Sequence, residues 1–432
     1  MQTASKKVIN GWAMYDWANS VYNLVITSTI FPAYYEGITK VGNDDTVTFL
    51  GRKFVNTALY NYAIAFAILV VAILIPILSS IADYKGNKKN FMRFFCTVGS
   101  IACTCMYFFT DKNNMGIGIS CVIIACIGFW CSLVFYNAYL PEIAAEKDRD
   151  MVSAKGFTMG YIGSVLLQII CLVFVFTMKD GALAARISFV LVGIWWIGWA
   201  QLPFSRLPKG EPSANRPEKS IIANGFIELK KVWGQVKTMP VLKRFLFAFF
   251  FYNMGVQTVM LAAALFGAKE LSLPTDKLII TILIIQLVAI AGAYLMAKLA
   301  EKYGNLQVLA FVVVIWIVIC IAAYFIRSDI EFYALGAAVG LVMGGIQSLS
   351  RSTYSKLMPP TKDTASFFSF YDATEKVAIV IGMFTFAYLE ELTGSMRNSV
   401  LAVMVFFIIG LLLLMTTISA NRFRQARPNS TI

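Results

Sequence analysis

Long apolar runs of roughly 20 residues recur along the whole chain, separated by short polar stretches. Each run is long enough to cross a hydrocarbon core about 30 Å thick as an α-helix. None of them alternates as the ~10-residue strands of a membrane β-barrel do. The pattern therefore predicts an all-α integral membrane protein with twelve transmembrane helices, near residues 11–36, 55–82, 92–110, 115–140, 156–178, 186–204, 242–268, 277–299, 306–326, 331–350, 365–390 and 398–420.

A polar stretch rich in Pro, Lys and Glu separates the sixth predicted helix from the seventh. Its first part is typical of a flexible linker, and its second part, "GFIELKKVWGQVK", is typical of a surface helix. We therefore predict an N-terminal six-helix bundle (1–204), a cytoplasmic linker (205–240) and a C-terminal six-helix bundle (241–432). The first predicted helix is too long and too polar for a cleaved signal peptide, so we expect it to be retained.

The two predicted bundles share short sequence matches at a constant offset of about 218 positions. "ADYKGN" (82–87) aligns with "AEKYGN" (300–305), and the same offset carries Tyr136 onto Tyr354 and Pro141 onto Pro359. Two parallel six-helix repeats joined by a linker are the layout of many secondary transporters, which bind solute between the halves near the middle of the membrane.

Composition agrees with the bilayer assignment, and the distribution of basic residues explains the positive net charge. Of the 432 residues, 58% are hydrophobic and 14% are charged, against about 25% charged in soluble domains. The net charge of +13 comes mainly from loops on the side that holds both termini, here called the terminus side. The positive-inside rule makes this side cytoplasmic, so the charge is a topology signal and predicts no nucleic-acid partner.

Residue types also exclude several chemistries. The chain has no histidine, which removes histidine metal ligands, histidine proton relays and a Ser-His triad. Its eight cysteines all fall within predicted helices, without the paired spacing of a metal site. We therefore expect no cofactor, no metal and no catalytic residues, and no obligate protein partner is evident.

Polar side chains inside the predicted helices are the candidate pathway residues. Asp16, Asn19, Ser20 and Asn23 share one face of the first helix, and polar groups within a membrane normally face the bundle interior. Asp16 could instead be solvated at the helix end, the ionisable cluster of helix 11 could be a structural ion-pair network, and the other polar groups could serve helix packing. The predicted pathway residues are Tyr15, Asp16, Asn19, Asn23, Tyr136, Asn137, Tyr252, Asn253, Gln257, Gln347, Asp372, Glu375 and Lys376.

A second set of charged and glycine residues lies in or beside the terminus-side loops. A carboxylate at Asp83 can accept hydrogen bonds from the N-terminus of a neighbouring helix and pair with basic side chains across the interface of the bundles. Arg351 and Glu142 are expected at the cytoplasmic rim. The predicted gating residues are Asp83, Gly86, Lys88, Lys89, Glu142, Glu301, Gly304 and Arg351; the alternative is that these charges only enforce topology.

Six blocks carry a resemblance to a known family. "SSIADYKGNKK" (79–89) resembles the loop motif of the major facilitator superfamily, although a serine stands where a glycine is usual. The chain is similar to the vacuole-effluxer-like family of that superfamily, bacterial relatives of fungal vacuolar amino-acid exporters, in "YDWANSVYNLVITSTIFPAYY" (15–35), "FYNAYLPEIA" (135–144), "KGFTMGYIGS" (155–164), "GGIQSLSRSTYSKLMP" (344–359) and "SFFSFYDATEKVA" (366–378). The resemblance implies a proton-linked or facilitative carrier of a small solute, with amino acids as the first candidates, in a bacterial inner membrane.

Proton coupling without histidine requires a carboxylate that is buried enough to hold a proton near neutral pH. Lys376 lies one turn from Asp372 and is expected to keep it ionised, whereas Asp16 and Glu375 have no evident local cation. The sequence therefore favours Asp16 and Glu375 as proton carriers. Two alternatives remain: a carrier of larger amphiphiles such as lysolipids or cell-wall fragments, and a membrane-embedded enzyme that uses Asp372, Glu375 or Asp16 as acid or base.

Overall fold

A computed structural model describes residues 2–40, 45–210 and 221–426 and is almost entirely helical. The predicted all-α architecture is confirmed. The helices are α1 (Lys6–Val21), α2 (Phe31–Thr39), α3 (Asn56–Lys85), α4 (Lys88–Cys105), α5 (Met115–Ala138), α6 (Leu140–Ile143), α7 (Arg149–Thr177), α8 (Gly181–Arg206), α9 (Ile221–Lys237), α10 (Pro240–Glu270), α11 (Thr275–Tyr303), α12 (Asn305–Phe325), α13 (Asp329–Leu357), α14 (Thr364–Thr393) and α15 (Met396–Ala426).

Within the described ranges, ten helices are long and apolar enough to cross a membrane. The other two predicted spans differ from a continuous apolar helix for two reasons. In the first, α1 passes into a nine-residue π-helix, Tyr22–Ile30, which joins it to α2. In the second, α14 carries Asp372, Glu375 and Lys376 in its middle. Both departures fall in the segments that hold the predicted pathway residues, in keeping with the frequent occurrence of π-helical turns at functional sites.

A short antiparallel hairpin precedes α3 and was absent from the prediction. Strand β1 (Thr46–Phe49) pairs with β2 (Arg52–Val55), with Thr46 opposite Val55. Leu50 and Gly51 form the turn and both have positive φ, which a two-residue hairpin turn requires. Four residues per strand are too few for the sequence to show a clear alternation.

The long helices form two groups that pack against each other. In the first group α4 packs on α5, and α1 packs on α7 and α8; in the second, α11 packs on α13, and α10 and α12 pack on α15. The groups meet where α7 contacts α11 and α13, and where α14 contacts α3 and α5. The proposed domain limits stay a prediction, and residues 211–220 of the predicted linker lie outside the described residues.

Helix α9 is the surface helix predicted from the linker sequence. It packs on both α3 and α14, and therefore contacts both helix groups. Its own Val232 and Val236 are buried, and its Trp233 ring stacks on Phe370 with centroids 5.8 Å apart. Its Lys231 lies 3.6 Å from the Asp363 carboxylate.

Candidate functional site

A cavity of about 170 Å³ lies between the two helix groups. Its wall combines amides, ionisable side chains and aromatic rings from α1, the π-helix, α5, α7, α10, α11, α13 and α14. Every predicted pathway residue except Tyr15, Tyr136 and Lys376 lines it. The lining also includes Ser20, Trp130, Phe157, Tyr161, Phe249, Gln286, Ser350, Arg351 and Tyr371.

Arg351 occupies a socket formed entirely by the other helix group. Its guanidinium donates to Ser153 Oγ at 3.0 Å, to the Ser153 carbonyl at 2.9 Å and to Asn137 Oδ1 at 3.1 Å. Its Nη1 lies 3.5 Å from Asp16 Oδ2, which also accepts a hydrogen bond from the Tyr136 hydroxyl at 2.6 Å. Arg351 and Asp16 are 3% and 5% exposed. The predicted position of Arg351 at the rim is wrong, because this pairing holds the side chain beside the cavity.

The backbone of α7 makes this socket possible at Gly156. A Cβ atom there would lie 2.6 Å from the Tyr136 hydroxyl, 2.7 Å from Asp16 Oδ2 and 2.9 Å from Arg351 Nη2. Only a residue without a side chain leaves room for the three polar groups to meet. The sequence analysis did not single out Gly156, although it lies within the "KGFTMGYIGS" block.

Two predicted pathway tyrosines lie away from the cavity wall. Tyr15 is fully buried inside its own helix group, where its ring lies 6.2 Å from that of Phe204. Tyr136 lies behind Asp16, and its ring stacks on Trp12 with centroids 4.4 Å apart. Tyr136 therefore orients the Asp16 carboxylate, whereas Tyr15 serves packing.

The ionisable cluster on α14 is paired differently from the expectation. Lys376 Nζ lies 2.9 Å from Glu375 Oε2 and 3.4 Å from the centre of the Trp130 ring. Glu375 also accepts a hydrogen bond from Gln257 at 3.2 Å. The expectation that Asp16 and Glu375 lack a local cation is wrong, since Arg351 and Lys376 provide one for each.

Of the three carboxylates at the cavity, Asp372 is the one that neither Arg351 nor Lys376 pairs with among the described residues. It is 4% exposed, and its Oδ2 has no hydrogen-bond partner among the described residues. Lys376 lies one turn away on the same helix, but its ammonium is directed to Glu375 and Trp130. Asn19 and Asn253, two further buried amides that line the cavity, also have unpartnered polar atoms.

On the terminus side, Asp83 joins the end of α3 to the start of α14. Its carboxylate accepts hydrogen bonds from the backbone N–H groups of Ala365 at 3.1 Å and Ser366 at 2.8 Å, and from the Ser366 hydroxyl at 2.8 Å. Lys88 lies 3.3 Å from Asp83 and also pairs with Glu142. The predicted contact between Asp83 and a helix N-terminus is confirmed, and its favourable electrostatics follow from the helix dipole; its role in gating stays a prediction.

A second charged cluster on the same side was missed. Asp150 pairs with Lys356 at 2.5 Å and accepts a hydrogen bond from Asn305 at 2.5 Å. Arg149 donates to the Ser355 carbonyl at 2.6 Å. The sequence around the start of α7 is rich in acids, but nothing in their spacing distinguishes the buried Asp150 from its more exposed neighbours Glu146 and Asp148.

Four other predicted gating residues have local roles or none at the interface. Gly86 and Gly304 end α3 and α11 with positive φ of 62° and 90°, which favours glycine. Lys89 donates to the Leu207 carbonyl within its own helix group. Glu301 is exposed, so the sequence offset that equates it with Asp83 does not reproduce the interface contact.

Hydrogen bonds between the two groups are confined to one half of the interface. Among the described residues they run from the Asp83 and Asp150 clusters to the pair formed by Tyr161 and Gln347, whose Oη and Oε1 atoms lie 2.5 Å apart. Tyr161 is twelve residues into α7, about 18 Å from its start. Hydrogen bonds thus join the groups on the terminus side. Asn23 lies about two turns beyond Asp16, farther from the terminus side, and is exposed within the cavity.

A cavity lined by polar groups between two packed helix groups, closed at one end, defines a membrane transporter of the major facilitator class. The chain belongs to the family of vacuole effluxer Atg22-like proteins, whose model matches residues 4–149 and 144–427.

Relatives agree with this assignment, and solved structures agree with the fold. An uncharacterised MFS-type transporter, YxiO of Bacillus subtilis, is 32% identical over 94% of this chain and 93% of its own. Autophagy-related protein 22 of Kluyveromyces lactis is 24% identical over 99% and 96%. The transporter FucP in its outward conformation has a TM-score of 0.71 at 11% identity, covering 95% of this chain and 99% of its own. The proton:xylose symporter XylE has a TM-score of 0.72 at 11% identity, covering 96% and 95%.

Proposed function

We propose that the protein is a secondary transporter, not an enzyme, which moves a small solute by alternating access between its two bundles. The observation that carries the proposal is the cavity between the bundles, which is lined by unpartnered buried polar groups. Among the described residues, the hydrogen bonds that join the bundles lie on the terminus side of this cavity. Such groups are costly to bury without partners, and a bound solute would satisfy them. Amino acids are the first solutes to test.

The size of the cavity supports a small solute over a lysolipid or a cell-wall fragment. Its volume of about 170 Å³ is below the roughly 300–1,000 Å³ of sites for drug-sized ligands. Its wall is polar at Asn19, Asn253 and Gln286, where an acyl chain would leave amides unpaired.

The orientation we propose has the terminus side in the cytoplasm of a bacterial inner membrane. The basic loops on that side support it through the positive-inside rule. The described conformation is then outward-facing, and inward opening requires the Asp83, Asp150 and Arg351 contacts to separate. Several charge-assisted bonds must break together, which favours two discrete states over a continuum.

We further propose that transport is proton-coupled through Asp372, in place of the carriers favoured by the sequence. Asp16 and Glu375 each have a cation, whereas Asp372 has none within ion-pair distance among the described residues. A buried carboxylate without a cation is the one whose neutral form is most favoured. The ionisable groups around it are Arg351 and Tyr354 on α13, Tyr252 on α10, Cys131 on α5, and Tyr371, Glu375 and Lys376 on α14.

Counterflow in proteoliposomes tests this function. Vesicles preloaded with an unlabelled amino acid should accumulate the same labelled solute transiently, and a pH step should drive net accumulation. Asp372→Asn should abolish the accumulation driven by the pH step, while Asp276→Asn, at an exposed aspartate outside the cavity, should behave as wild type. Conversion of the solute into a product without flux would instead establish an enzyme.

A further inference from the structure

The charges around the central cavity do not balance. Three carboxylates, Asp16, Asp372 and Glu375, are accompanied by two cations, Arg351 and Lys376. Each cation lies within ion-pair distance of one carboxylate. The ionised site therefore carries one uncompensated negative charge, and it is located on Asp372.

Neither cation is free to serve a solute. Arg351 has Asp16, Asn137 and Ser153 as acceptors for its guanidinium. Lys376 lies between the Glu375 carboxylate and the face of Trp130, an arrangement that satisfies an ammonium through an ion pair and a cation–π contact. A negatively charged solute would thus meet occupied cations and an unpaired carboxylate.

The surroundings of Asp372 suit an organic ammonium. The rings of Trp130, Phe249, Tyr252 and Tyr371 line the same cavity, and aromatic faces attract cations. Unpartnered amides of Asn19 and Asn253 lie on the facing helices α1 and α10. These amides can bind a polar group of the solute while its ammonium pairs with Asp372.

We propose that the central site selects monocationic amines through Asp372, and that a carboxylate on the solute is not required for binding. The inference rests on the proposed transport function and deepens it. An amine without a carboxylate should bind at least as well as the corresponding amino acid. The carboxylate of the amino acid could pair with Arg351 or Lys376 only if that cation left Asp16 or Glu375.

A set of four compounds with one branched alkyl skeleton and different charges tests this selectivity. They are isoamylamine (cation), leucine (zwitterion), 4-methylpentanoate (anion) and 4-methylpentanamide (neutral). Affinities are measured on the purified full chain by ligand-induced thermal stabilisation. Isoamylamine should bind at least about tenfold more tightly than the anion and the neutral amide, the scale of one buried hydrogen bond to a charged group. Asp372→Asn should remove that difference, and Asp276→Asn should preserve it.

The possible outcomes either support or overturn the proposal. It is overturned if isoamylamine fails to bind, if the anion or the neutral amide binds most tightly, or if Asp372→Asn keeps the preference for the amine. Should Asp372→Asn fail to fold, Asp372→Glu must retain the preference, and the order of affinities in the wild type still decides. Counterflow separates the two proposals: exchange of the anion with no exchange of the amine leaves a transporter and removes this selectivity, whereas tight amine binding without any exchange removes transport alone.

Discussion

A single arginine provides the most buried ionic contact between the bundles. Arg351 leaves its own helix group and ends among Asp16, Asn137 and Ser153 of the other. Removal of one partner from a buried pair leaves an uncompensated charge, which typically costs more than removal of both. Arg351 and Asp16 should therefore be energetically coupled.

A double-mutant cycle measures this coupling. Arg351→Gln should reduce stability by about 3–5 kcal/mol because it leaves Asp16 unpaired. Asp16→Asn combined with Arg351→Gln should recover part of that loss, and thermal unfolding in detergent is the measurement. If the two effects add without recovery, the pair makes no net contribution.

Asp83 offers a second test at the residue scale, with a control built into the sequence. Asp83→Asn weakens its charge-assisted bonds to the start of α14, by about 1–3 kcal/mol, and should shift the population toward the state open on the terminus side. Alkylation of a cysteine introduced at Thr364, the buried first residue of α14, should become faster. Glu301→Gln, at the offset-related but exposed position, should leave the alkylation rate unchanged. Equal rates in both variants would reduce Asp83 to a topology signal.

The sequence predicted which residues lie at the interface better than it predicted which side chains they contact. The polar face of α1 and the Asp83 contact follow from helical spacing and from the chemistry of helix N-termini. The pairing of Asp16 with Arg351 joins positions 335 residues apart. Lys376 pairs with Glu375 and not with Asp372 because of the side-chain rotamers. Sequence spacing contains neither, so it favours Asp16 and Glu375 as proton carriers, whereas we propose Asp372.

At the scale of elements, α9 differs from the other helices in contacting both bundles from outside. Its sequence predicts a surface helix. Which surface it covers depends on α3 and α14 and cannot be predicted from that sequence. The same holds for the π-helix: its composition is that of any apolar helix, and hydroxyl bonds such as Ser28 to the Asn23 carbonyl at 2.9 Å appear only in three dimensions.

Docking of α9 should stabilise the state that is closed on the terminus side. Trp233→Ala removes the stacking on Phe370, worth about 1 kcal/mol, and should raise amide hydrogen exchange in α9 and at the start of α14. Ile227→Ala, on the 43%-exposed side chain of the same helix, is the matched control and should change exchange little. Unchanged protection after Trp233→Ala would mean that α9 lies on the bundles without holding them.

For the whole molecule, orientation is the property on which the proposed mechanism depends most. Single cysteines in a cysteine-free chain should report it, since the eight native cysteines are all within helices. Asn114→Cys and Ser395→Cys, in loops opposite the terminus side, should react with an impermeant thiol reagent applied to whole cells. Lys209→Cys should react only after the membrane is permeabilised. Labelling of Lys209→Cys from outside would reverse the orientation and the proposed outward-facing state.

The pattern of apolar segments predicts the all-α membrane fold well, because the thickness of the hydrocarbon core acts on segment length and composition alone. The conformation does not follow from this pattern. Two states of a transporter share one pattern of apolar segments and differ in which contacts between bundles are made, such as those of Asp150 with Asn305 and Lys356.

The π-helix between α1 and α2 also determines how α1 is rotated about its axis relative to α2. Each residue turns an α-helix by about 100° and a helix with i→i+5 hydrogen bonds by somewhat less. One residue deleted between Tyr22 and Ile30, with the remainder keeping its π-helical hydrogen bonds, would therefore rotate α1 by roughly a quarter turn relative to Phe31–Thr39. Asp16 and Asn19 would then face a neighbouring helix or lipid instead of the cavity. The number of residues in this segment therefore fixes the direction in which the whole polar face of α1 points. The segment should tolerate substitutions far better than the loss or gain of a single residue.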